Sequence, residues 1–162
     1  MHATDNPRDL PSATGQHYLR PGWFARNVLN RIVGGLTRVG VSVWGSRVLE
    51  VPGRRSGQPQ QVPVNLLTLE GAQYLVSARG HGQWVRNVRA NDGGLDLLVG
   101  RRRSNHVATE LSAAEKVPVL RAYLKKWKVE VGAFFDGVDA DSSDAELLAA
   151  ADNHPAFRLD AA

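Results

Sequence analysis

Apolar positions change their spacing twice along this chain. Up to residue 20 they are too sparse to define an element, and Pro7, Pro11 and Gly15 punctuate a polar stretch that reads as a loose arm, 1–20. From Trp23 to Val39 they recur at helical intervals: Phe24, Val28, Ile32, Leu36 and Val39, with Leu29 and Val33 beside them. Arg26, Arg31 and Arg38 fall largely elsewhere, so 21–40 predicts a basic amphipathic helix, weakened by Gly34 and Gly35. That helix either docks on its own domain or lies on an acidic membrane surface with Trp23 as anchor. After Ser46 the period shortens to that of strands. Arg47–Val51 alternates, Val62–Leu69 is rich in β-branched and apolar residues, and Gln73–Ala78 follows a Glu70-Gly71 turn. Leu95–Val99 and His106–Leu111 form a further pair after the turn residues Asn91-Asp92-Gly93-Gly94. Between the pairs, Gln83–Ala90 reads as one short helix. Two more helices close the chain. Ser112 with Glu115 and Ser143 with Glu146 are capping-box patterns. The first precedes the stripe Val117, Leu120, Leu124 and Trp127; the second precedes Leu147, Leu148 and Ala151, with Pro155 as the stop.

Strands without regular helical crossovers argue against a doubly wound parallel sheet. The pattern fits a mainly β, α+β chain: a small antiparallel barrel with flanking helices over 41–162. A length of 162 residues suits one domain with one real core. No apolar run approaches ~18 residues, so no membrane-spanning helix is expected. The first ten residues lack a secretory h-region, and there are no cysteines, which points to the cytoplasm and excludes disulfides, thiolate nucleophiles and cysteine-bound metal. His2, His17, His81, His106 and His154 are scattered, so no metal site is expected.

Charge adds a direction. Residues 1–110 hold 14 Lys/Arg and 7 Asp/Glu, a net +7, whereas 111–162 hold 6 and 9, a net −3. A basic front part suits an anionic partner. Two segments could bind one. In Pro52-Gly53-Arg54-Arg55-Ser56-Gly57-Gln58-Pro59-Gln60, glycines let backbone amides approach a ligand, while Arg54, Arg55 and Ser56 offer charge-assisted hydrogen bonds. The alternative is an ordinary polar hairpin loop. The segment lacks P-loop spacing. In Ser77-Ala78-Arg79-Gly80-His81-Gly82-Gln83-Trp84-Val85-Arg86-Asn87, a strand end runs through a glycine turn into a helix start, where anions are favoured. Trp84 and Asn87 share a helical face, either for stacking and hydrogen bonding to a ring or as a core residue and a local cap.

These segments, in order with Val62-Pro63-Val64, Trp84-Val85-Arg86-Asn87-Val88-Arg89-Ala90 and the ending His154-Pro155-Ala156-Phe157-Arg158-Leu159, resemble the deazaflavin-dependent nitroreductase family over roughly 20–160. The resemblance implies a split β-barrel related to FMN-binding folds, and binding of coenzyme F420, an 8-hydroxy-5-deazaflavin with a phosphodiester and a polyglutamate tail. FMN is the alternative that the resemblance disfavours. It implies that Arg54, Arg55 and Ser56 bind the phosphate with Gln60, where relatives often carry a basic residue. Pro63 and Asn65 would approach the ring, Ser77, Ala78 and Arg79 would line the opposite wall, and Gln83, Trp84 and Asn87 would complete the ring and ribityl site.

The implied reaction is hydride transfer from the reduced coenzyme to an electron-poor small molecule such as a quinone, enone or nitroaromatic. The cofactor carries the chemistry, and the protein carries position and field. Where relatives cover the substrate with tyrosines, this chain has Trp127, Phe134 and Phe135, which favours a flat, greasy acceptor; the alternative is that these rings are core. A quinone would also fit contact of Trp23–Val39 with the inner face of a membrane. A monomer or a homodimer is equally compatible with the sequence. Two rivals remain in view. A non-catalytic carrier of a lipid or tetrapyrrole on the same barrel has little use for Arg54, Arg55 and Arg79. A nucleic-acid binder using Arg101-Arg102-Arg103 lacks interleaved aromatics, and that run falls at a predicted turn, so no nucleic acid is expected.

Overall fold

The computed structural model describes residues 46–162. The predicted arm 1–20 and helix 21–40 lie outside the described residues. Six strands follow in chain order: β1 (Ser46–Pro52), β2 (Pro59–Leu69), β3 (Ala72–Val76), β4 (Gly94–Val99), β5 (Arg102–Glu110) and β6 (Ala156–Ala161). Three helices are described beside them: α1 (Gln83–Ala90), α2 (Ala113–Val131) and α3 (Asp144–Ala150). The strands close into a barrel in the order β1-β2-β3-β6-β5-β4, every neighbouring pair antiparallel. The expected split barrel with flanking helices is therefore the observed architecture.

β2 serves both halves of the barrel. From Pro59 to Asn65 it pairs with β1, Asn65 lying opposite Ser46; from Leu66 to Leu69 it pairs with β3. Alternation then sorts its side chains. Leu66 joins Leu49, Val51, Leu75, Leu95, Leu97, Ala108, Phe157 and Leu159, which fill the interior from all six strands, with Val85 and Val88 of α1 packed among them. Leu67 points the other way, into a second cluster with Val76, Leu120, Leu124, Trp127 and Leu147, where α2 and α3 cover the barrel wall.

Local chemistry explains the element ends. Glu70 (φ 50°) and Gly71 (φ 78°) form the two-residue turn that joins β2 to β3. Both capping boxes exist: the Ser112 and Ser143 hydroxyls accept from the backbone N–H of Glu115 and Glu146, whose carboxylates reach back.

Three features depart from the sequence expectation. The sequence pattern gives no strand at β6, because Pro155 after a capped helix signals a stop; it also opens a strand whose Phe157 and Leu159 alternate inward. β5 begins at Arg102 rather than His106, because cross-strand charge holds its polar start. Arg103 Nη1 meets Glu50 at 2.6 Å and Asp96 at 2.5 Å, and Asn105 donates to Asp96 at 2.6 Å. Only part of the arginine run is thus turn. Finally, α2 continues past Trp127 to Val131 through a kink at Trp127 (φ −123°, ψ 25°).

Candidate functional site

The β1–β2 loop is closed by its own backbone. The Gly53 N–H donates to the Gln58 carbonyl and the Gly57 N–H to the Gly53 carbonyl, both at 2.8 Å, and the Gln58 N–H donates to Ser56 Oγ at 3.2 Å. Gly57 sits at φ 70°, a conformation glycine adopts without strain. A Cβ at Gly53 would lie 2.8 Å from Ser56 Oγ, so glycine permits the tight closure. Arg54, Arg55 and Ser56 are exposed on this frame, as is Gln60 at the start of β2.

α1 meets that loop. Val85 and Val88 anchor one side of the helix in the barrel interior, which turns Gln83 and Asn87, four apart, toward the loop. Gln83 Oε1 accepts from Arg54 Nη1 at 2.7 Å. Asn87 Oδ1 accepts from the same nitrogen at 3.0 Å and from the Arg54 backbone N–H at 3.2 Å. Two segments 33 residues apart, singled out separately in the sequence, are thereby one structure. Trp84 is half-buried, its ring 5.7 Å from that of Phe157.

The turn before α1 is bound from several sides. The Ser77 hydroxyl donates to the Gly80 carbonyl at 2.5 Å, the Ser77 N–H donates to the Pro155 carbonyl, and Ala78 is buried in the α2-side cluster. Arg79 lies over the ring of Phe134, 4.8 Å from its centroid, a cation–π contact. Arg54 and Arg79 therefore engage different groups, the one on α1 and the other beyond α2. His81 Nδ1 lies 3.2 Å from Arg89 Nη1, and arginine only donates. Nδ1 must therefore accept, so Nε2 carries the proton and donates to the Asp152 carbonyl at 2.8 Å. Arg89 also forms a two-pronged pair with Glu110, at 2.9 and 2.5 Å, which holds that carboxyl below its ordinary range against the opposing effect of burial. Lys116 is buried, donates to the Ala151 carbonyl at 3.0 Å, and is pushed down by desolvation. This network ties α1, β5 and the 151–153 turn together.

The three aromatics expected on the substrate side separate. Trp127 and Phe135 are each 1% exposed and belong to the core. Tyr123 packs on both, with ring centroids 5.0 and 6.3 Å away, and Phe135 stacks on His154 at 3.9 Å. Phe134 is half-buried beneath Arg79. Pro63 and Asn65 are half-buried on β2. Asn65 has a partner that the sequence reading passed over: its side chain hydrogen-bonds the Tyr123 hydroxyl, whose pKa burial pushes up. Tyr123 lies on the α2 stripe between Leu120 and Trp127, so helical phase could have found it. Among the described residues, no three His, Cys, Asp or Glu gather as metal ligands, and no helix is long and apolar enough to cross a membrane.

A closed six-stranded antiparallel barrel, with one side of α1 packed on its interior residues and α2 and α3 on its wall, is a split barrel. Residues 25–139 match the family described as F420H(2)-dependent quinone reductase, and the chain belongs to that family. No curated protein matches the sequence. Among solved structures, one described as a domain-swapped dimer is 19% identical, with 83% of this chain and 96% of that one covered, at a TM-score of 0.50. An F420-H2-dependent reductase is 18% identical, covering 72% and 94%, at a TM-score of 0.49. A conserved hypothetical protein from Mycobacterium tuberculosis is 18% identical, covering 80% and 79%, also at 0.49.

Proposed function

We propose that this chain binds coenzyme F420 and uses its reduced form to reduce an electron-poor acceptor, a quinone before an enone or nitroaromatic. The observation that carries the reading is the bonding of Arg54 to Gln83 and Asn87. It joins a cationic, glycine-bearing loop to a helix that carries a half-buried tryptophan, a donor set that fits a ligand with an anionic tail and a flat ring. The family supports the choice of coenzyme.

In this reading the loop from Arg54 to Ser56, with Gln60, holds the phosphodiester. Pro63 and Asn65 flank the ring from β2, with Asn65 held by Tyr123. Ser77, Ala78 and Arg79 form the opposite wall, Ser77 through the turn that its hydroxyl closes. Gln83 and Trp84 complete the pocket from α1, with Asn87 behind them bonded to Arg54. When bound, the reduced coenzyme supplies a hydride. The chain supplies placement: guanidinium charge against the phosphate, and apolar surface at Trp84 that excludes water from one side. The reduced acceptor takes its proton from water. Phe134 contacts the acceptor, with Trp127 and Phe135 supporting it from the core.

Fluorescence titration with F420 and with FMN, side by side, tests this. Saturable quenching or a spectral shift at micromolar F420, with weaker or no response to FMN, is expected. A flat response at a hundredfold higher concentration overturns the reading. Recovery of oxidised coenzyme on adding benzoquinone to the reduced complex then tests the acceptor class.

A further inference from the structure

Asn87 differs from the other residues of the α1 face. It is 4% exposed, so it offers a ligand almost no surface. Its side-chain oxygen already accepts twice, from the Arg54 N–H at 3.2 Å and from Arg54 Nη1 at 3.0 Å. An amide oxygen has two lone pairs, so this one is saturated. The Gly53, Gly57 and Gln58 amides find acceptors inside the loop, whereas the Arg54 amide reaches outside it to the helix. Arg54 spends one guanidinium nitrogen on Gln83 and Asn87. Arg55 is exposed and, among the described residues, has no ion-pair or hydrogen-bond partner.

We infer that Asn87 is a positioning residue: its buried carbonyl presets the 53–58 loop against α1 through Arg54, leaving Arg55 as the arginine that meets the anionic ligand. The inference rests on the proposed F420 reading and sharpens it by dividing the work of two adjacent arginines. A loop already held in its binding shape loses less conformational freedom when the ligand arrives, which raises affinity without a new contact. An Asn87 that touched the coenzyme itself would behave differently on acquiring a negative charge.

Three variants of the full chain decide it. Asn87→Ala removes the acceptor; Asn87→Asp keeps an acceptor of the same shape and adds charge that attracts Arg54. F420 affinity is read by fluorescence, Arg54 amide protection by hydrogen exchange, and folding by thermal melting. Asn87→Ala should weaken F420 binding at least tenfold and speed Arg54 amide exchange at least tenfold. Asn87→Asp should stay within about threefold of the native protein in both. Native-like affinity in Asn87→Ala overturns the inference. So does an Asn87→Asp that protects the Arg54 amide yet binds as weakly as Asn87→Ala, since the carboxylate would then be repelling the ligand directly. Should Asn87→Ala not fold, Gln83→Ala at an exposed position removes the second acceptor. A threefold or greater loss of affinity is expected there, and no loss overturns the inference. If the native protein binds no F420, the functional reading fails, and Arg54 amide exchange in the Asn87 variants alone decides whether the brace exists.

Discussion

Arg54 and Arg55 are identical in chemistry and adjacent in sequence, yet their surroundings give them different work. Arg55→Ala should weaken F420 binding more than tenfold and leave the melting temperature unchanged, as befits a lost charged hydrogen bond on an exposed side chain. Arg54→Ala should weaken binding too, and also lower stability by about 1 kcal/mol, because it strips the partner from Gln83 and Asn87. Paired titrations and chemical denaturation check both. Gly93 carries no side chain to contribute to this chemistry and is constrained by geometry. It sits at φ 83°, and a Cβ there would run into the Ala108 carbonyl oxygen. Gly93→Ala should therefore cost about 3 kcal/mol, read by urea denaturation. At this scale the loop's arginines and glycines and its place between two strands are legible, whereas its use is not, since an ordinary polar hairpin loop carries the same residues. The sorting of Trp127 and Phe135 into the core was not. An aromatic at helical spacing reads the same whether it covers a substrate or fills an interior.

α1 is a short helix with two tasks on two sides. Val85 and Val88 fill the barrel, while Gln83 and Asn87 hold the β1–β2 loop. Its C-terminal end is tied down by Arg89 and Glu110. That pair makes a pH prediction. Arg89 holds the Glu110 carboxyl below its ordinary value, so the folded state binds its proton less readily than the unfolded state. The stabilisation is complete above the ordinary glutamate range, about pH 4, and fades as pH falls through the lower folded value. Glu110→Gln should flatten that part of the acid limb and lower neutral-pH stability by no more than about 1 kcal/mol, since solvent screens the pair. Denaturation midpoints from pH 3 to pH 7 check it, and an unchanged acid limb would refute it. Element boundaries were legible wherever a local signal sets them. The two capping boxes and the Glu70-Gly71 turn are bonds between residues at most three apart. The polar start of β5 was illegible, because Glu50 and Asp96, which hold Arg103, belong to other strands.

At the scale of the molecule, β6 is what closes the barrel. β6 lies between β3 and β5, pairing Phe157 with Leu75 and with Glu110. Removing residues 156–162 would open the barrel, leave two edges unpaired and expose Leu75 and its neighbours to water. The shortened chain should show no cooperative thermal transition by circular dichroism, whereas a full-length control melts sharply. The amino-acid sequence by itself determined five of the six strands, the three described helices, the helix caps, the hairpin turn, the basic charge of the front part and the family, because these depend on short spacings and on composition. Only the tertiary structure decided that β6 completes the barrel, that Tyr123 holds Asn65, that Arg79 lies on Phe134 and that Asn87 grips Arg54. Each of those is a contact between residues far apart in the chain, and what selects it is how six strands close around one interior.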